Sequence, residues 1–128
     1  MTHIEAIEGI YSAFRSGDIP YILTQLTPDV FWRQPAGIPW GGDYSGPAQV
    51  GEFFAKIDAA AETTAFDVEE NVEAGNVVFS LGYWEGRMPS SGKVARSRFA
   101  FRWQFQDNKI YRYEGVLDTA PIVAALAG

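Results

Sequence analysis

Sixteen acidic residues stand against ten basic ones, so carboxylates are plentiful while partners for them are few. A carboxylate becomes a general acid or base when burial raises its pKa. If Phe79 and Leu81 point inward from a strand spanning 77–87, alternation carries Tyr83 and Glu85 to the same side. Glu85 then stands at a pocket rim as the candidate catalytic group. The competing reading pairs it with Arg87, Arg96 or Arg98 across the next hairpin. Glu114 and Asp118 lie four apart near the end of the last strand, Glu114 facing Arg98 or Arg102 and Asp118 capping the final helix. Asp67, Glu69, Glu70 and Glu73 are close in sequence, but alternation splits them between faces, which suits an exposed acidic strand.

Other chemistries lack their parts. The chain has no cysteine and one histidine, His3, expected in solvent at the start of the first helix. A thiolate or histidine metal site and a Ser-His-Asp triad are therefore excluded, and neither a metal nor an organic cofactor is expected. Gly41-Gly42 is followed by no Lys-Ser/Thr pair and makes no phosphate cradle. A net charge of −6 opposes nucleic acid and anionic membrane surfaces as partners. The absence of cysteine, of a basic-then-apolar leader and of a long apolar run points to a cytoplasmic protein.

The elements that must position these groups follow from periodicity. Thr2 and Glu5 form a capping box, and Ile4, Ile7, Ile10, Tyr11 and Phe14 recur at helical spacing up to about Ser16. Gly17 stops this helix, Asp18 caps a second short one, and Val30 to Gln34 reads as a strand closed by Pro35. Residues 35–46 hold four glycines and two prolines and read as a long loop, yet one carrying Ile38, Trp40 and Tyr44. A third helix shows Val50, Phe53, Phe54 and Ile57 on one face. Four strands joined by hairpins follow, near 66–73, 77–87, 93–106 and 109–117, and then a short C-terminal helix. One 128-residue domain results: an α+β layer whose curved, mainly antiparallel sheet is covered by its helices.

Nineteen aromatic rings are too many flat side chains to fill such a layer easily, so a cavity lined by them is expected. The stripe Phe99, Phe101, Trp103 and Phe105 alternates with polar residues and serves either as plain core or as cavity wall. The expected lining is Phe14, Trp32, Gln34, Trp40, Tyr44, Phe54, Tyr83, Phe99, Phe101, Trp103 and Tyr113. Gln34, the Trp40 N–H and the hydroxyls of Tyr11, Tyr44 and Tyr113 would orient a ligand.

The order of elements, the segment IYSAFRSGD at 10–18, the run IPWGGDYSG at 38–46 leading to Phe53-Phe54, and the ending LDTA at 117–120 resemble the SnoaL-like branch of the superfamily containing ketosteroid isomerase and nuclear transport factor two. The resemblance implies a cone, with the sheet wrapped round the first and third helices, an internal pocket, and a homodimer through the outer sheet face. It does not carry the steroid isomerase machinery. The positions matching its base, its tyrosine and its second acid fall on Gln34, Ile10 and near Phe101, none of which can do that work. The expectation is a protein that binds a small apolar, aromatic or polyketide-like molecule, with any isomerase-, cyclase- or dehydratase-type chemistry free of cofactor. The alternative is a non-catalytic ligand binder or dimeric adaptor of the same fold.

Overall fold

The computed structural model describes all 128 residues. Helix α1 (His3–Ser16) begins at the expected capping box: Thr2 Oγ1 accepts from the Glu5 N–H at 3.1 Å, and Glu5 Oε1 accepts from the Thr2 N–H at 2.9 Å. The Thr2 backbone N–H foremost, and the Thr2 side chain after it, hold the Glu5 carboxyl below its ordinary pKa. Gly17 ends the helix at φ 76°, a left-handed turn that glycine enters without strain. Asp18 then caps α2 (Ile19–Thr24) by accepting from the Tyr21 N–H.

Strand β1 (Leu26–Gln34) starts earlier than its β-forming residues suggest, because Leu26 already pairs with Ile110 before an irregularity at Thr27-Pro28-Asp29. The expected loop 35–46 is shorter than its breakers imply. Its end, β2 (Gly42–Ser45), pairs antiparallel with β1, and Trp40 and Tyr44 are buried. Helix α3 (Gly46–Ala60) follows, then β3 (Glu62–Ala74), β4 (Val77–Arg87), β5 (Val94–Gln106), β6 (Lys109–Leu117) and α4 (Ala120–Ala127). The six strands form one sheet in the order β2-β1-β6-β5-β4-β3, antiparallel throughout except for β1 beside β6. Register shifts in β3 and between β5 and β6 add local twist and help the long strands curve.

The concave face packs on α1 and α3. Phe99, Phe101, Trp103 and Phe105 of β5 lie on it, as their alternation requires, beside Tyr113 and Leu117 of β6 and Trp32 of β1. Strand β4 has the opposite register to the expected one. Val78, Ser80, Gly82, Trp84 and Gly86 face inward, whereas Phe79 and Leu81 are exposed outside with Tyr83 and Glu85. The cause is space. Phe99 and Phe101 stack at 4.0 Å over the middle of β4, and a Cβ on Gly82 would lie 2.7 Å from Phe99 and 2.1 Å from the Asp67 carbonyl oxygen. The inner positions of β4 must therefore be small there, and the large apolar residues fall on the other side of the pleat.

Candidate functional site

Between the sheet and helices α1 and α3 lies an aromatic cavity. Its walls come from Ile10, Tyr11 and Phe14 of α1, Ile22 of α2, Phe53, Phe54 and Ile57 of α3, and Trp40 before β2; the sheet adds Trp32, Gln34, Phe66, Trp84, Phe101, Trp103, Tyr113 and Leu117. No carboxylate, lysine, arginine or histidine reaches it. The non-atom space, mouth included, is about 550 Å³, but only about 60 Å³ is wide enough to seat the centre of a water molecule. Outside it, a polar groove runs past the ends of α1 and α3, lined by residues that include Arg15, Asp58, Glu62 and Thr63. Phe14 and Phe54 line both spaces, with ring centroids 6.0 Å apart, and so form the partition between them.

Of the residues expected in this wall, Phe14, Trp32, Gln34, Trp40, Phe54, Phe101, Trp103 and Tyr113 stand in it. Tyr44 is buried behind Phe53, with its hydroxyl donating to the Trp40 carbonyl at 2.9 Å and accepting from Lys56 Nζ at 3.3 Å. Phe99 is fully buried in the stack with Phe66 and Phe101 and does not reach the cavity. Tyr83 lies on the outer face beneath the guanidiniums of Arg96 and Arg98.

Glu85 also belongs outside. It accepts from the Thr64 hydroxyl at 2.8 Å and sits 3.7 Å from Arg96, one member of an outer ladder that includes Arg96–Asp67 and Arg98–Glu69. This corrects the expectation of a rim carboxylate: the register that buries Trp84 turns Glu85 toward solvent. His3 is packed more closely than expected, stacked on Phe105 at 4.2 Å with Nδ1 3.3 Å from Glu73. No cluster of three or more His, Cys, Asp or Glu is arranged to hold a metal. Phe66 and Trp84 join the wall from β3 and β4, strands whose inward face their local pattern does not reveal. Phe53 was already visible on the apolar face of α3.

Two tyrosine hydroxyls supply most of the polarity. Trp103 Nε1 donates to the Tyr11 hydroxyl at 2.8 Å, Tyr11 donates to Ser80 Oγ at 2.7 Å, and the Ser80 hydroxyl donates to Asn71 Oδ1 at 2.5 Å. This chain is complete. The second is not: Gln34 Nε2 donates to the Tyr113 hydroxyl at 2.7 Å, but the tyrosine proton has no acceptor and Gln34 Oε1 has no donor. Trp32 Nε1 is likewise buried without a partner. Gly115 makes room for the pair, since a Cβ there would lie 2.3 Å from the Tyr113 oxygen and 2.6 Å from Gln34 Nε2.

Burial foremost pushes the pKa of both tyrosines up, Tyr113 well above its ordinary value, so each is a proton-holding donor rather than a base. The linkage sign follows. An unfolded tyrosine loses its proton near about pH 10, whereas these two keep theirs in the folded chain, so their contribution to stability is complete below about pH 10 and is lost as pH rises further. Replacing Tyr113 with Phe should leave the native-state phenolate absorbance unchanged and alter only the signal released on alkaline unfolding. A loss of native-state phenolate absorbance near pH 10 in Y113F would contradict this placement.

The six-stranded order, the helices packed against its concave face and the cavity between them are the features by which this chain can be matched to others. A family model described as a SnoaL-like domain matches residues 7–113. The chain belongs to the SnoaL-like family. Solved structures share the whole architecture. A protein of unknown function from Burkholderia pseudomallei, described as NTF2-like, superposes with a TM-score of 0.91 at 26% identity over 100% of both chains. TerC, crystallised with polyporic acid, has a TM-score of 0.84 at 30% identity, with 98% of each chain covered. A hypothetical protein from Catenulispora acidiphila with a ketosteroid isomerase-like fold, in complex with trimethylamine, has a TM-score of 0.85 at 15% identity over 98% of this chain and 95% of its own, a likeness of fold alone. No curated protein matches the sequence. No helix of this SnoaL-like chain is long and apolar enough to cross a membrane.

Proposed function

We propose that the cone is a binding chamber for a small, uncharged, mainly apolar aromatic molecule. The observation that carries this reading is the wall itself: every lining side chain except Gln34 is hydrophobic, and no charged group stands ready to offset the desolvation of an ion. The likeness to TerC, crystallised with polyporic acid, supports an aromatic ligand, since polyporic acid is an aryl-substituted hydroxyquinone. The free space of about 60 Å³ is smaller than the roughly 150 Å³ cavity that accepts benzene. A ring therefore enters by displacing side chains, and Phe14 and Phe54, which face both the groove and the cavity, are the ones to move. With Glu85 outside and both tyrosines protonated, the chamber offers hydrogen-bond donors and no base. Its contribution to an isomerase-, cyclase- or dehydratase-type step is the polarisation of a carbonyl. The cysteine-free chain suits a reducing cytoplasm.

All four tryptophans line the cavity, so their fluorescence reports occupancy directly. Titration with polyporic acid across the pH range of its ionisation should give saturable quenching, tighter for the neutral form. Glu85→Gln should bind within about two-fold of the parent, because an exposed ion pair contributes little. Failure of every fused- or linked-ring aromatic to quench saturably would overturn the reading.

The outer sheet face supports a second element, a homodimer. Leu81, Ala100 and Val116 lie directly opposite one another across β4, β5 and β6, beside Phe79, and Phe79 and Val116 are 45% and 57% exposed. An apolar row on an otherwise charged face is the surface a second copy would cover. Sedimentation should give about twice the chain mass of 14.1 kDa, and Leu81→Arg should return it to the monomer. A monomeric parent at high concentration would remove this element and leave the chamber reading intact.

A further inference from the structure

The incomplete hydrogen-bond pair at Gln34 and Tyr113 states what polar pattern the ligand must carry. Gln34 is 5% exposed and Tyr113 2%, and their only mutual bond uses the amide nitrogen as donor and the phenol oxygen as acceptor. That leaves one acceptor, Gln34 Oε1, and two donors, the Tyr113 O–H and the second N–H of Gln34 Nε2, on a wall whose other side chains are hydrophobic. A buried acceptor left without a donor is costly, and native structures keep few of them. Elsewhere in the same cavity Tyr11 is satisfied, accepting from Trp103 and donating to Ser80, while the Trp32 N–H is a further buried donor without a partner. Gly115 carries no side chain because the pair itself fills the space its Cβ would take.

We infer that the chamber recognises a planar, neutral aromatic molecule bearing a hydrogen-bond donor and a carbonyl on adjacent atoms, such as a lactam or an un-ionised hydroxy-ketone. The ligand's N–H or O–H donates to Gln34 Oε1, and its carbonyl accepts from the Tyr113 O–H. Because Nε2 and Oε1 share one amide carbon, the free acceptor and the free donor are close enough to be met by neighbouring atoms of one ring. An anion is disfavoured at this spot, because loss of the ligand's proton would set its deprotonated atom against Gln34 Oε1, acceptor against acceptor, with no cation in the wall to compensate. This inference rests on the reading of the cone as an aromatic-binding chamber and adds to it the identity of the ligand's polar edge.

The test is a matched pair of probes, 2-quinolone and N-methyl-2-quinolone, titrated against tryptophan fluorescence. The first carries donor and carbonyl side by side; the second has lost only the donor. The expected result is a preference for 2-quinolone of at least about ten-fold, because the unmethylated ring alone satisfies the buried oxygen. Gln34→Leu should reduce that preference to about two-fold or less while N-methyl-2-quinolone still binds, a change that a general loss of folding would not produce. Tyr113→Phe should weaken both probes alike, since both carry the carbonyl. Equal binding of the two probes by the parent protein would overturn the inference and leave the aromatic chamber standing. Binding of neither probe would overturn the inference, and the aromatic chamber falls with it only if polyporic acid and the other ring compounds also fail to quench.

Discussion

Replacing Trp32 with alanine should lower the stability of the folded chain by about 3–5 kcal/mol, the range for removing a large ring from a packed core. Trp32 is 1% exposed, and its ring meets Tyr113 at 4.1 Å, Trp103 and Phe53 at 5.5 Å and Phe54 at 5.7 Å. It thus joins the β1–β6 wall to α3, and no neighbour can close the void without leaving its own contacts. For a domain of this size the midpoint of thermal unfolding should fall by roughly 12–20 °C. Trp32→Phe keeps an aromatic ring in place and should lose less. A drop below about 1 kcal/mol in W32A, measured by denaturant titration, would mean that the cavity wall is soft rather than packed.

The second large effect is expected at Gly82. Its Cβ position is closed by the Asp67 carbonyl oxygen at 2.1 Å and by the Phe99 ring at 2.7 Å, the first of which is backbone and cannot swing away. Gly82→Ala must force β3 from β4 or displace the Phe99–Phe101 stack. The expected cost is about 3 kcal/mol, the upper end for overpacking. Gly9→Ala in α1 is the matched control. Its nearest neighbour would be the Tyr21 hydroxyl at 3.5 Å, an ordinary contact, and the better helix former should be neutral or stabilising by up to about 1 kcal/mol. Chemical denaturation of the two variants side by side checks both, and a G82A protein as stable as its parent would contradict the close approach of the strands.

These two positions also show what could and could not be read from the sequence. Helix α1, with its capping box, and strand β5, with rings at every second position, carry local signals strong enough to set their boundaries or their buried face. The eight cavity residues found from sequence are mostly large rings on such elements, where period and burial agree. Strand β4 lacks that agreement. Its largest apolar residues, Phe79 and Leu81, alternate with Ser80 and Gly82, and local pattern favours burying the former. What decides the face is a non-local fact, the rings of β5 and the carbonyl of Asp67 pressing on Gly82, and a single strand does not record it. Glu85 followed its strand into the wrong register for the same reason. The polar pairing was equally hidden: Gln34 and Tyr113 stand 79 positions apart and meet only because β1 lies parallel to β6. Strand β2 was concealed by the opposite problem, since the glycines of 35–46 resemble a free loop while its last residues pair with an edge.

The cone is expected to hold an uncharged aromatic ligand against Gln34 and Tyr113, with Glu85 playing no part. The most direct measurement is a crystal structure of the protein grown with 2-quinolone. The expected result is planar density in the cavity against Trp32 and Phe101, with hydrogen bonds to Gln34 Oε1 and the Tyr113 hydroxyl, Phe14 or Phe54 displaced, and Glu85 still beside Arg96. A cavity left unchanged, with the probe bound only in the outer groove or on the convex sheet face, would contradict it.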